Sequence, residues 1–436
     1  MSAPRPGGTS VRIPALDAPN RGNRVSLVIG PLELPSRAEV VDALVRIARE
    51  APASPVAYRF DGPDRWALVS ADREDWFSSF VEQIDAGPDE LAVRAAELTA
   101  EAGAVAPIRI VLGRRHLLVS TDHALGDRVL LTGLPSAILR VVAGEPVADW
   151  LRERARIRLL PALLRTFALH PTRVLALLRD RGARTAAPVA LGPDAPPPRP
   201  ETVSTALDGG QLRALRAREH AHPGSVLGTA LLLRLRAALA ERGLPTRDEV
   251  VVVQDARRYF RRPPGAGSNP ITGVPVATGS GEPERVGAEV RRAIELGRPL
   301  AALALGAATS AGRVPDPARR AALPGAARLT YSHVGQLRTF ADLPWAPRSG
   351  PADILLTLGP LPVGAITLTL ARLGEELHAA VSFDAATADR ALVAAAVAEA
   401  FEPARAFEPA QAVAPAEPHE RAEPVHSRPR KVARAS

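Results

Sequence analysis

His123 and Asp127, separated by three residues in the stretch TDHALGD (121–127), are the side chains best placed by type and spacing to do chemistry. A neutral imidazole with a pKa near neutrality can accept the proton of an alcohol or amine as it attacks a thioester carbonyl, and such general-base help is worth ~10² to 10⁴ in rate. The carboxylate four positions on is suited to fixing the loop and need not touch the proton. Taken alone, a His-x-x-x-Asp pair arises often by chance, and a loop histidine with no catalytic role accounts for it as well.

The elements around the pair must aim it. Residues 108–112 and 116–120 flank Gly113-Arg114-Arg115 and read as a hairpin, and the apolar-periodic run 129–142 reads as a helix. His123 therefore falls on a loop leaving a buried strand, where a side chain can face a cleft. Upstream, residues 25–34 read as a strand. Ser36 and Glu39 then form a capping-box signature, and Val40, Leu44, Ile47 and Ala48 share one helical face before Pro52.

Composition narrows the chemistry. The chain has no cysteine, which excludes disulfides, a thiolate nucleophile and cysteine-ligated zinc, and its single lysine, Lys431, leaves no candidate for a Walker-type loop or a Schiff base in the folded body. A Gly-x-Ser-x-Gly elbow is also missing. His116, His220, His222 and His378 form no metal-like grouping, so no metal is expected. The net charge of +8 is almost wholly arginine and is a weak footprint for nucleic acid, which is not expected as a partner. The first 24 residues lack an apolar h-region and no apolar run approaches the roughly 18 residues of a membrane span, so a cytoplasmic protein is expected.

At 436 residues and 46% apolar content the chain is too long for one core, and two lobes are expected. The N-terminal lobe spans 25–185, after a flexible N-terminus over 1–24. The segment 186–200, AAPVALGPDAPPPRP, reads as an extended linker, 201–403 as the C-terminal lobe, and 404–436 as a disordered tail. In the second lobe a helix over 225–242, strands over 250–253, 271–276 and 329–332, and a helix near 283–296 precede three strands, 353–358, 365–370 and 377–383. Tight turns join these three as a meander, and a closing helix carries Val393, Val397 and Phe401. Residues 151–185 carry nine arginines against Glu153 and Asp180, a balance of +7, with leucines expected to bury one face. A lid over the inter-lobe channel, a docking surface for an acidic carrier protein and a peripheral membrane contact are all compatible with that stretch.

Several separated patches over roughly 25–403 resemble the superfamily of chloramphenicol acetyltransferase, nonribosomal peptide synthetase condensation domains, polyketide-associated acyltransferases and wax ester synthases. DHALGDR (122–128) is similar to the family's HHxxxDG, with His123 and Asp127 kept, Asp122 in place of the first His and Arg128 in place of the Gly. VVVQDARRYF (251–260), SNPITGVPV (268–276) and YSHVGQL (331–337) resemble three further family patches, the last with His333 in place of Asn. The resemblance implies an α/β fold of two similar lobes, each a mixed sheet with flanking helices, V-shaped about an inter-lobe channel. It also implies His123 as the catalytic base and a structural salt bridge from Asp127 to Arg257 or Arg258. Ser332, His333, Asn269, Asp122 and Arg128 become candidate oxyanion or substrate contacts.

The implied activity is acyl transfer from a CoA or carrier-protein thioester to a hydroxyl or amine. Acyl-CoA or acyl-phosphopantetheine would be the co-substrate, an acyl or peptidyl carrier protein a possible partner, and no cofactor would be bound. The competing expectation is a non-catalytic binding or scaffold protein of the same fold, for which Arg128, replacing a Gly that allows a tight backbone path, is the best support.

Overall fold

The hairpin and the strand before the capping box fold as neighbours. In the computed structural model Arg24–Gly30 (β1), Val81–Gln83 (β2), Ile108–Leu112 (β3) and Leu117–Asp122 (β4) share one sheet, with β1 antiparallel to β4, β4 antiparallel to β3 and β3 parallel to β2. The structure describes residues 10–101, 106–152, 157–179, 188–192, 194–219, 227–261, 267–279, 281–309, 321–359 and 361–402. Helix α1, Arg37–Glu50, starts at the expected capping box, the Ser36 hydroxyl accepting from the Glu39 N–H and the Glu39 carboxylate from the Ser36 N–H. Strand alternation separates the two faces of this sheet. Leu27, Ile29, Ile110 and Val119 pack towards α1 and Arg128–Val142 (α3), while Val28, Val111 and Leu118 pack on Pro88–Ala100 (α2).

The remaining long strands are Pro200–Leu207 (β5), Thr246–Asp255 (β6), Ile271–Ala277 (β7), Ala327–Gln336 (β8), Asp353–Gly359 (β9), Ala365–Leu373 (β10) and Glu376–Asp384 (β11). Six of them form the second sheet in the order β7-β6-β8-β10-β11-β5, mixed because β6, β8 and β10 run parallel while the outer pairs are antiparallel. Leu227–Glu241 and Arg390–Ala400 cover one face with Leu231, Leu235, Leu239, Val393 and Val397. Among the described residues no helix is long and apolar enough to cross a membrane.

The seventh strand corrects the sequence reading. Residues 353–359 do not form a meander with the two strands that follow. β9 crosses into the first sheet and pairs antiparallel with β1, Leu356 opposite Leu27. Its ILL run is buried on both faces, Ile354 and Leu356 on the α1 side and partly buried Leu355 against the α2 cluster, so the local pattern carries no alternation to say which sheet it joins. Burying a large aliphatic side chain contributes roughly 1.5–3 kcal/mol. The crossing strand is therefore a firm tie between the lobes. Leu337, Phe340 and Leu343, on the approach to it, also lie in the first core.

A second correction concerns the N-terminus. Residues 1–9 lie outside the described residues, but 10–24 are structured: Ser10–Arg12 pairs with Arg65–Leu68, and Asp17 and Arg21 are buried. In the linker, Val189–Ala190 pairs with Ala321–Ala322, and Pro200 already opens β5. The tail expected over 404–436 lies outside the described residues.

Candidate functional site

β4 ends at Asp122 and α3 begins at Arg128, so His123 stands on the connecting loop as expected. The loop is held at both ends. At its start the Asp122 carboxylate accepts from Arg21 Nη1 at 3.0 Å, from Gly22 N at 2.9 Å and from Ala124 N at 2.9 Å. At its end Asp127 caps α3, accepting from Val129 N at 3.0 Å. His123 N donates to the Asn23 carbonyl at 2.7 Å, and Asn269 Nδ2 donates to the His123 carbonyl.

Two sequence candidates for substrate contact are thereby reassigned. Asp122, 1% exposed, is spent on Arg21 and two backbone N–H groups and does not line the cavity described below. Asn269 is equally buried and braces the His123 loop against Asp17, whose carboxylate accepts from its backbone N at 3.1 Å and its Nδ2 at 3.3 Å. Both polar groups are struts. Arg21 also stacks over the Phe60 ring, 3.4 Å from its centroid.

Asp127 reaches the other lobe. Its fully buried carboxylate pairs with both terminal nitrogens of Arg257, Nη2 lying 3.2 Å from Oδ1. Of the two arginines considered, Arg258 is exposed and does not take this role. Arg257 is fixed in turn by Asp255, which accepts from its backbone N at 2.8 Å and its Nη1 at 3.2 Å. Arg128 completes a chain of alternating charge, Nη2 standing 3.5 Å from Asp255 and Nη1 donating to the Val334 carbonyl at 3.1 Å. Burial alone would lower the Arg257 pKa, but the hydrogen bond and charge of Asp127, then Asp255, outweigh it and hold the guanidinium above its ordinary value.

A cavity of about 90 Å³ opens where the sheets meet, walled by His123, Thr121 and Val25 from the first lobe, Ser332, His333 and Thr369 from the second, and Leu356 and Leu358 of β9. Asp127, Arg128 and Asp255 also line it. His123 Nδ1 is buried and has no hydrogen-bond partner among the described residues. Ser332 and Thr369 are paired neighbours on parallel β8 and β10, so their side chains project to the same side. The Thr369 hydroxyl is buried and has no hydrogen-bond partner among the described residues. Burial, then the charges of Arg128 and Arg372, lower the His333 pKa, so this imidazole is neutral at neutral pH. Just beyond it the β8–β10 register shifts at Gly335, whose φ of 89° suits glycine, and the chain turns from the second sheet towards the crossing strand.

Sequence reasoning missed Asp255, Thr369, Asp17 and Arg21. A threonine alternating with leucines in ITLTL reads as an ordinary strand residue, and only the sheet register brings it beside Ser332. Asp255 had a signal, since an acid two residues before an arginine can cap a turn and fix it.

No protein-family model matches the sequence, and no curated protein matches it. Solved structures do. The trichothecene 15-O-acetyltransferase of Fusarium sporotrichioides superimposes with a TM-score of 0.62 at 12% identity, over 90% of this chain and 95% of that one. Polyketide synthase associated protein 5 of Mycobacterium tuberculosis gives 0.55 at 15% identity, over 92% and 99%. The condensation domain of the Monacolin K polyketide synthase MokA gives 0.53 at 12% identity, over 87% and 90%. At these identities the likeness is one of fold, and the fold of this chain is the two-lobed α/β architecture of the condensation-domain and chloramphenicol acetyltransferase-like proteins.

Proposed function

We propose that this protein is an acyltransferase that moves an acyl group from a CoA or carrier-protein thioester to a hydroxyl or amine acceptor, with His123 as general base. The observation that carries this reading is the His123 imidazole at a cavity walled by both lobes, on a loop clamped by the Asp127–Arg257 pair. With Nδ1 shut away, Nε2 is the nitrogen that can meet an acceptor. His123 takes the acceptor's proton while its oxygen or nitrogen attacks the thioester carbonyl. The tetrahedral intermediate then collapses by breaking the C–S bond, and the imidazolium returns the proton to the departing thiolate. The Ser332 and Thr369 hydroxyls are the candidate donors to the oxyanion, a role worth ~10² to 10³ in turnover for one donor.

The small cavity, with Arg128 in its wall, favours a second reading, a binding or scaffold protein of the same fold without turnover. Thiol release from a panel of acyl-CoA and acyl-carrier donors with alcohol and amine acceptors separates the two. An acyltransferase gives acceptor-dependent release that falls ~10² to 10⁴-fold in His123→Ala at matched folded stability. Release that is absent, or equal in both proteins, leaves the scaffold reading.

A further inference from the structure

The leucines of residues 151–185 are expected to bury one face; among the described positions, 151–152 and 157–179, Leu151 is buried and Leu159, Leu163 and Leu177 are half-buried, but much of 157–179 stays uncovered. Leu160, Leu164, Leu169, Val174, Leu175 and Leu178 are exposed, six of the eleven large aliphatic side chains exposed among the described residues. This concentration is no surface scatter. One flank of the segment is occupied: Ala162 and Thr166 are buried, the Phe167 ring packs beside Gly297, and Arg165 donates to the Tyr259 carbonyl. The other flank is uncovered among the described residues. Helix Leu159–Leu163 with the turn 164–168 presents Leu160 and Leu164 one helical turn apart, and helix Pro171–Arg179, which has no buried residue, presents Val174, Leu175 and Leu178.

The same 23 positions hold Arg158, Arg165, Arg173 and Arg179 and no acidic residue. An aliphatic face fringed only by positive charge is complementary to one that offers hydrocarbon beneath negative headgroups. A protein partner fits less well. Hot spots of protein interfaces are rich in Trp, Tyr and Arg and poor in Leu and Val, and an acidic carrier would meet the arginines while leaving the leucines without an apolar partner.

We infer that residues 157–179 form a membrane-docking face that seats the protein on an anionic lipid surface, with leucines entering the acyl-chain boundary and arginines meeting headgroup phosphates. The face is anchored to the lobe junction, because Arg165 holds the Tyr259 carbonyl two residues from Arg257. The inference does not rest on acyl transfer, and its test reads binding alone.

The full chain is sedimented with vesicles of phosphatidylcholine, or of equal parts phosphatidylcholine and phosphatidylglycerol, at low and high salt. Binding at least tenfold stronger to the anionic vesicles, and weakened by salt, is expected. Leu164→Ser, Leu169→Ser and Leu175→Ser combined should lower it at least tenfold with the Tm unchanged, because these side chains are exposed. Arg158→Gln with Arg179→Gln should lower it about 25-fold, since each arginine near such a surface is worth about fivefold. No sedimentation with anionic vesicles overturns the proposal. So does binding that the leucine variant retains, which would assign it to the basic residues of the C-terminal segment. Capture of an acidic acyl-carrier protein that the leucine variant abolishes, without vesicle binding, would make the face a protein-docking surface instead.

Discussion

Two carboxylates stand on either side of His123 and meet arginines in opposite ways. Asp122 and Arg21 lie wholly within the first lobe, 1% and 6% exposed, and burial dominates both: it pushes the Asp122 carboxyl up and the Arg21 guanidinium down, against their mutual attraction. Asp127 and Arg257 join the two lobes, and there attraction wins, holding Arg257 above its ordinary value. A pair that loses more solvation than it regains is weak evidence for stability, so the first pair is better understood as positioning the strand end from which His123 projects. The second is a tie whose energy and geometry work together. The catalytic candidate thus hangs between a locator inside one lobe and a clamp to the other.

The greatest loss of stability should follow from removing one member of the first pair. Asp122→Ala takes from buried Arg21 its carboxylate partner, leaving the Phe60 ring beneath it, and leaves the Gly22 and Ala124 N–H groups without their acceptor. Breaking a buried pair in this way costs about 3–5 kcal/mol, visible as a lower denaturation midpoint in urea. Asp122→Asn keeps an acceptor for the backbone groups and should recover part of the loss. Equal stability of wild type and Asp122→Ala would mean that the pair does not locate the loop.

Removing the clamp should cost less stability and more function. Arg257→Met strips Asp127 of its partner, yet Asp127 keeps the Val129 N–H, and Asp255 can still turn to Arg128. A loss of about 3 kcal/mol is expected, at the low end for a broken buried pair, with acceptor-dependent thiol release falling further than the folded fraction explains. Comparing kcat with KM at saturating donor tests this, because a purely structural tie would lower activity only in proportion to unfolding.

How much of this was legible depended on whether the determinants were local. The hairpin, the capping box at Ser36, the loop carrying His123 and the strand ending near Arg257 are set by short-range periodicity and turn chemistry, and they fold where the sequence puts them. The crossing of β9 was not legible, because a strand buried on both faces reads as a continuous apolar run and short turns suggest pairing with the next strand. Asp122 and Asn269 read as site residues because polar side chains near a catalytic motif suggest contact. Only the placement of Asp17 and Arg21, from a stretch expected to be flexible, shows that they are struts. The exposed leucines of 157–179 depart from the sequence reading for another reason: amphipathic spacing specifies a face but not what covers it.

A third tie, at the root of the crossing strand, involves a histidine held below its ordinary pKa. His378, buried on β11, lies 3.2 Å from Glu376, whose carboxylate also accepts from Ala352 N at 3.1 Å, just before the crossing strand begins. Burial lowers the His378 pKa, and the attraction of Glu376 does not fully offset it. A histidine whose folded pKa lies below its unfolded value, about 6.5, stabilises the fold above that value, and the contribution is lost as pH falls through the folded pKa. Asp122, raised in the folded state, acts in the opposite sense and adds stability as it protonates at lower pH. Thermal denaturation from pH 7.5 downwards should therefore show Tm beginning to fall near pH 6.5, by less than either substitution costs. His333, whose pKa is also lowered, contributes to the same decline, so His378→Gln should reduce it without abolishing it and without changing the Asp122 response. A decline of equal size in the variant would place the acid-sensitive tie elsewhere than at the root of β9.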